Sequence, residues 1–333
     1  MQSIRKSLAK ITAVASAVPA DVMTNFDLEK IIDTNDKWIV ERTGIHKRYI
    51  AKQGETTSTI VAAASKEILA STNTDPLDID LIIVATITPD MMLPATACLV
   101  QDLIGARNAW GFDLSIACSG FLYALQVAAQ FVHNGTHKNV LVAGCDIMSS
   151  IIDYTDRQTC IIFGDGGGAV LVQPSVHEND GFFLDFVHEI DGSGGKYLCI
   201  PAGGSLRPTT NETLANRMHY VHQDGATVFK FATRKMTEVC NKVLERNNLT
   251  ANDIDVFIPH QANKRIIDYV TEKMNFNPDK VIVNIGEYGN TTAGTLPLAL
   301  KTAIDTNRLH RGDLLLLATM GAGFTAGACL IKW

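Results

Sequence analysis

The stretch Pro76-Leu77-Asp78-Ile79-Asp80-Leu81-Ile82-Ile83-Val84 returns, with the same pattern of turn, acid and apolar run, as Ala251-Asn252-Asp253-Ile254-Asp255-Val256-Phe257-Ile258-Pro259. The chain downstream of each copy also matches. One segment runs from Asp80 to a small-residue elbow at Cys118 and an apolar strand from Asn139. The other runs from Asp255 to an elbow at Asn290 and a strand from Asp313, and both end in a glycine-rich segment and a last strand. Such self-similarity means two copies of one supersecondary unit, and strands alternating with helices make that unit a layered α/β one. The expectation is an α/β fold of two duplicated halves, 1–174 and 175–333, with Cys118 and Asn290 at equivalent elbows that face one site.

Local signals fill in the elements. Thr24 and Asp27 form a T-x-x-D cap for a short helix, and Asn35 caps a second over 36–43 that Gly44 closes. Trp38 and Arg42 stand four apart there and share a face, as a half-buried tryptophan beside a solvated arginine also would. Helices are expected over 57–70 and 95–104, and strands over 80–86 and 139–143. The stretch 178–226, rich in Gly, His and Asn, reads as a surface loop, with 182–186 the one piece that fits a strand.

Composition removes several functions. A net charge of −6 at pH 7 argues against a general nucleic-acid binder, because phosphate affinity needs clustered positive charge. Seven cysteines lie mostly in apolar runs with no C-x-x-C pair, which fits free thiols in a reducing, cytoplasmic setting and neither a disulfide framework nor a metal site. Arg5, Lys6 and Lys10 ahead of 11–18 imitate a secretory signal. The apolar part is short, poor in leucine and followed by Pro19, so a first strand is the better reading. No run reaches membrane-spanning length.

The chemistry gathers at the elbows. A strand-like segment runs into Cys118, and Phe121, Leu122, Leu125, Ala128, Ala129 and Val132 then recur at helical spacing. A thiol at a helix N-terminus meets free N–H groups and the positive end of the dipole, which favour the nucleophilic thiolate. A buried structural cysteine is the commoner fate of the residue type. His260, in Pro259-His260-Gln261-Ala262-Asn263, follows the strand that the duplication pairs with 81–86, so it reaches the carboxyl edge where open α/β sheets bind ligands. Asn290 would otherwise pass for turn punctuation. Gly321-Ala322-Gly323 either turns between two final strands or aims backbone N–H groups at a developing oxyanion. Gly164-Asp165-Gly166-Gly167-Gly168-Ala169 matches G-x-G-x-x-A, yet a strand follows where a dinucleotide site needs a helix, so close backbone packing is the reading.

Together these motifs resemble the β-ketoacyl-acyl-carrier-protein synthase III family of the thiolase superfamily, over essentially the whole chain. The motifs that carry the resemblance are Asn35 to Ile45, the Ala117-Cys118-Ser119-Gly120-Phe121 elbow, Asp156-Arg157-Gln158-Thr159 with Phe163 to Gly166, Pro259 to Asn263, Gly289 to Ala293, and Gly321 to Thr325. The resemblance implies a five-layer α-β-α-β-α architecture and a homodimer. It implies an acyltransferase that starts fatty acid synthesis. Cys118 takes an acyl group from acyl-CoA, and decarboxylative Claisen condensation with malonyl-acyl carrier protein gives a 3-ketoacyl carrier protein, CoA and CO2. Both thioesters are substrates, and no cofactor is expected. By the same resemblance His260 and Asn290 serve the decarboxylation, and the N–H groups of Cys118 and Ala322 form the oxyanion hole. Trp38 and Arg157 sandwich the adenine of CoA, with Thr34 and Arg42 beside them. Leu93 matches a place where the family closes its acyl pocket across the dimer. Arg265 matches a carrier-docking patch to which Lys264 and Lys230 could add charge. Two departures bear on this: Ala322 interrupts a frequent Gly-Gly-Gly, so its φ must stay allowed for the donor to survive, and Ala326 replaces a common tryptophan.

Other readings compete. Leu93, smaller than the phenylalanine often found at that place in the family, suits a specialised synthase of secondary metabolism with a longer, branched or aromatic primer. An inactive scaffold that binds acyl chains or a carrier protein would keep the fold, although the intact Cys118, His260 and Asn290 speak against it. Papain-like hydrolases share Cys-His-Asn but carry the cysteine in another context. A degradative thiolase needs a second cysteine near the last glycine loop, whereas Cys329 falls within the last strand.

Overall fold

The computed structural model describes residues 8–177 and 180–333, so Arg5 and Lys6 of the basic N-terminus, and Glu178 where the expected loop starts, lie outside the described residues. Five strands form a first sheet in the order Ala9–Ala17, Gly166–Pro174, Val140–Asp146, Leu81–Ala85, Trp110–Leu114. Four form a second in the order Phe182–Ile190, Thr325–Lys332, Leu314–Gly321, Val256–Pro259. Each sheet begins with two antiparallel pairings and continues with a parallel one. Where a fifth strand would extend the second sheet, a parallel bridge joins Phe257 to Val281.

The repeat reaches single hydrogen bonds. Asp80 N–H donates to Asn139 O at 3.0 Å, and Asp80 Oδ2 accepts from Asn139 N–H at 2.9 Å. Asp255 N–H donates to Leu314 O at 2.9 Å, and Asp255 Oδ2 accepts from Leu314 N–H at 2.8 Å. One numbering offset relates Asp80 to Asp255, Asn139 to Leu314, and the helix starts Gly120 and Thr295. It also pairs the two left-handed residues Ala117 (φ 45°) and Thr292 (φ 49°). That register corrects the expected equivalence. The elbows match, but Cys118 pairs with Ala293, and Asn290 lies earlier in its elbow, opposite Ser115.

Because side chains alternate along a strand, a sheet buried on both faces serves two cores. Leu81, Ile83, Val140 and Val142 of the first sheet and Val256, Ile258, Leu315 and Leu317 of the second share a middle layer with the helices Gly120–His133 and Thr295–Asp305. Ile82, Val84 and Leu141 face the helices Thr57–Thr72 and Thr96–Ile104. Phe257, Leu316 and Ala318 face the helices Gly225–Arg246 and Lys264–Lys273. The outcome is five layers, α-β-α-β-α. The middle is tight: a Cβ on Gly144 would lie 2.4 Å from Ala293 O, and one on Gly294 would lie 2.3 Å from Gly166 O. Gly166–Pro174 is a strand, and a Cβ on Gly167 would lie 2.3 Å from Gly144 O, so the glycine cluster serves close approach of backbone.

The caps form as expected, with a reciprocal Thr24–Asp27 box, Asn35 Oδ1 accepting from Trp38 N–H at 2.9 Å, and Gly44 left-handed at φ 76°. The loop over 178–226 needs correction. Phe182–Ile190 is a strand paired with Thr325–Lys332. Its alternation is concealed by Asp185, which is buried yet bonded to Arg246 and Asn247. A short helix, Asn211–Ala215, and a two-stranded ribbon of Leu198–Cys199 with His222–Gln223 follow, and the next helix starts at Gly225. Among the described residues no helix is long and apolar enough to cross a membrane, and no His, Cys, Asp and Glu cluster could hold a metal ion.

The strand Phe182–Ile190 also carries His188, whose ring nitrogens have no hydrogen-bond partner and whose ring centroid lies 4.0 Å from that of Tyr123. Burial lowers its pKa from 6.5 to about 4. A histidine held neutral in the fold contributes stability above its unfolded value, and that contribution is lost as pH falls from 6.5 towards 4. Relative to wild type, His188→Phe is expected to gain about 2 kcal/mol of stability at pH 5 over its value at pH 7.5. Urea melts at both pH values measure this, and a pH-independent difference would clear His188 of the acid limb.

Candidate active site

The strand Trp110–Leu114 leads through left-handed Ala117 into a 3-10 turn, Ala117–Ser119, and the helix Gly120–His133. Cys118 sits at that turn, 7% exposed. Burial lifts its thiol from 9.0 to about 12, the Asp146 carboxylate adds to the rise, and a backbone N–H opposes it. This corrects the expectation of a resting thiolate: removing the sulfur from water outweighs the helix terminus, so the proton stays on at neutral pH. Two threonines hold the elbow, Thr319 Oγ1 donating to Cys118 O and Thr325 Oγ1 to Ser119 Oγ, both at 2.9 Å.

The hairpin turn after Leu314–Gly321 closes against this elbow. A Cβ on Gly321 would lie 3.2 Å from the nitrogens of Cys118 and Ser119. Gly323 takes φ 137°, while Ala322 is not among the described residues with positive φ, so the alanine costs the turn nothing. Among the described residues neither Cys118 N–H nor Ala322 N–H donates to another backbone carbonyl. Neither is tied to a backbone carbonyl, so an oxyanion can take both, and the Cys118 N–H otherwise faces its own sulfur.

His260, Asn290 and Cys118 line one cavity, together with Phe163, Phe229 and Gly321. His260 follows the strand Val256–Pro259 and is wholly buried, which lowers its pKa to about 3 and keeps the ring neutral. Its Nε2 has no partner. Its Nδ1 lies 2.7 Å from Thr295 Oγ1, and that hydroxyl also reaches Thr292 O at 3.1 Å. Donation along the shorter contact leaves the ring proton on Nε2, as a hydrogen-bond donor to the cavity. Asn290 Oδ1 accepts from Thr292 N–H at 2.9 Å, which turns the amide NH2 to the cavity. The Asn290 backbone bridges to the first half, its N–H donating to Ile162 O at 2.9 Å and its O accepting from Gly164 N–H at 3.1 Å.

A second cavity, about 640 Å³ with its mouth included, also reaches Cys118. Ile87, Met148, Phe163, Leu198, Ile200 and Val221 make its wall almost wholly apolar. Leu93 belongs to neither cavity: it is 84% exposed, beside Met92 at 90%.

At the surface, the Arg157 guanidinium lies 4.7 Å and that of Arg42 5.8 Å from the Trp38 ring centroid. Arg157 Nη1 donates to Asp33 O at 3.1 Å, which brings it beside Thr34, whose Oγ1 is buried without a partner. Asn263 Nδ2 donates to Arg42 O at 3.0 Å, so this cluster adjoins the helix Lys264–Lys273. On that helix Arg265 stacks 5.5 Å from the ring of Phe229, a cavity residue, while Lys264 is paired with Asp268 at 2.6 Å. Lys230 is exposed next to Phe229.

Sequence reasoning passed over Asp146, Thr292 and Thr295. Asp146 ends an apolar strand, and an acid there was the available signal. It is fully buried, which raises its pKa against the pull of hydrogen bonds from Thr292, Ile87, Ala293 and Thr86.

Known proteins are similar to this chain in sequence and in fold. Residues 112–192 match the family of 3-oxoacyl-[acyl-carrier-protein (ACP)] synthase III, and residues 244–333 match the C-terminal part of the same family. The β-ketoacyl-[acyl-carrier-protein] synthase III of Solibacter usitatus is 56% identical over 98% of both chains, and that of Koribacter versatilis is 53% identical over 100% of this chain and 99% of its own. The crystal structure of 3-oxoacyl-[acyl-carrier-protein] synthase III from Aquifex aeolicus superposes with a TM-score of 0.89 at 43% identity, covering 98% of this chain and 100% of that one. An identity above one half, spread over both halves and both elbows, is family membership: the chain belongs to the β-ketoacyl-acyl-carrier-protein synthase III family.

Proposed function

We propose that this chain makes a 3-ketoacyl thioester in two half-reactions at the cavity that Cys118, His260 and Asn290 share, and so starts fatty acid synthesis. The observation that carries the reading is that convergence, with two backbone N–H groups at the elbow that no backbone carbonyl among the described residues takes. In the first half, Cys118 Sγ attacks the acyl-CoA thioester carbon, and the Cys118 and Ala322 N–H groups hold the oxyanion. The thiol proton ends on the departing CoA sulfur, giving free CoA and acyl-Cys118. In the second, malonyl-acyl carrier protein loses CO2, and its enolate oxygen receives hydrogen bonds from His260 Nε2–H and the Asn290 NH2. The enolate carbon then forms a bond to the acyl carbon, the bond between that carbon and Cys118 Sγ breaks, and Sγ takes a proton from solvent. Neutral donors suit this step, because they stabilise the enolate without surrendering the proton that would quench it.

The apolar chamber beside Cys118 favours, as a second reading, a primer longer or more branched than acetyl. Exposed Met91, Met92 and Leu93 suit contact with a second copy, where Leu93 would close the partner's chamber. Trp38, Arg42, Arg157 and Thr34 would hold the CoA nucleotide. The reading places the chain in the cytoplasm, which agrees with seven free cysteines. Intact mass after mixing with acyl-CoAs of rising length tests it: one acyl adduct per chain is expected, and no adduct with any of them would refute the synthase and leave a binding scaffold.

Arg265, at the rim over Phe229, is the carrier contact in this reading, with Lys230 beside it. Arg265→Glu is expected to raise the apparent KM for malonyl-acyl carrier protein by about tenfold, a rim-charge effect, and to leave CoA-dependent acylation intact. Equal loss in both half-reactions would remove Arg265 from docking.

A further inference from the structure

Asp146 holds two loops at once. Its Oδ1 accepts from Thr86 Oγ1 at 2.9 Å, Ile87 N–H at 2.8 Å, Thr88 N–H at 3.2 Å and Thr88 Oγ1 at 2.9 Å, all in the first half. Its Oδ2 accepts from Thr292 Oγ1 and from Ala293 N–H at 3.1 Å, in the second. Thr292 is the hub beyond. Its N–H fixes Asn290 Oδ1, and its carbonyl lies 3.1 Å from the Thr295 hydroxyl that donates to His260 Nδ1. Thr292 also holds a left-handed backbone that a β-branched residue does not choose by itself.

The internal repeat shows what this carboxylate replaces. Ala293 is the counterpart of Cys118, and Gly321 is the counterpart of Asp146. At the nucleophile's elbow no backbone carbonyl among the described residues takes the N–H of Cys118, and Gly321 offers no side chain to take it. At the other elbow the matching N–H is taken by Asp146. The carboxylate therefore fills, in one half, the place that stays open for an oxyanion in the other.

We infer that Asp146 is the positioning residue of the decarboxylation pair: by occupying the second elbow it pins Thr292, and through Thr292 it sets the Asn290 amide and the His260 ring. The inference rests on the function proposed above. An asparagine at 146 keeps the volume, but its NH2 meets donors on whichever side it faces.

The test compares Asp146→Asn and Thr292→Val, with Thr292→Ser as the conservative variant, in full-length enzyme. CO2 release from malonyl-acyl carrier protein by the acylated enzyme is expected to fall about 100-fold in the first two, in kcat and not in KM, as for a misplaced reacting group. Thr292→Ser should recover most of it, and Asp146→Asn should acylate Cys118 from acyl-CoA no more slowly than wild type, since loss of the carboxylate charge eases ionisation of the thiol. Equal losses in acylation and CO2 release, a serine variant no better than valine, or undiminished CO2 release would each overturn the inference. Asn290→Ala separates the two levels: if it releases CO2 like wild type, the assignment of the pair fails before Asp146 is in question.

Discussion

Cys118→Ala is expected to show no mass adduct after incubation with acyl-CoA and to form no detectable 3-ketoacyl product. Removal of a nucleophile from a working constellation costs on the order of a million-fold in kcat. The same variant should still release CO2 from malonyl-acyl carrier protein, because the His260 and Asn290 contacts run through Thr295 and Thr292 and not through the sulfur. Intact mass and CO2 release, measured on one preparation, give the two readouts. The apolar chamber holds a second thiol, Cys199. An adduct that persisted in Cys118→Ala would move the nucleophile there and sink the proposed mechanism.

Gly294→Val should be among the most damaging single changes to stability. A Cβ there falls 2.3 Å from Gly166 O and 2.9 Å from Gly167 Cα, and neither backbone atom can rotate aside. Overpacking of this kind is expected to cost about 3 kcal/mol or more, lowering Tm by about 4 °C or more for a chain of this size. Gly192, where a Cβ would meet nothing within 4 Å and φ is not positive, is the control, and Gly192→Ala should be near neutral. A Gly294→Val protein that melts with wild type would mean that the two halves do not meet at backbone contact.

Much of the fold is legible in the linear string of residues. The Thr24–Asp27 box, the Asn35 and Gly44 caps and the duplicated Asp80 and Asp255 segments depend on neighbours a few residues away or on a pattern that repeats, and both survive in such a string. The register between the elbows is less legible, because it turns on two left-handed residues, Ala117 and Thr292, that neither carry glycine nor announce their φ. Asp146 is invisible there as a positioning group since its decisive partner lies 146 residues away. The Cys118 thiol is misread for a related reason: a helix terminus is local and readable, whereas burial is set by the whole fold. The strand Phe182–Ile190 is curtailed because Asp185 breaks an apolar pattern whose compensation, Arg246 and Asn247, sits on a distant helix.

The stack of Arg157 on Trp38 has a consequence for selectivity. The guanidinium covers the indole face, an exposed contact of about 0.5–1 kcal/mol. A flat base that enters between them competes with an internal occupant, and its net gain is the difference between two stacks. A ligand that also offers the displaced arginine an anionic group recovers what the base alone forfeits. If CoA binds here as proposed, the arginine would act as a resident rival that discounts bare aromatic molecules and favours those carrying phosphate next to the ring.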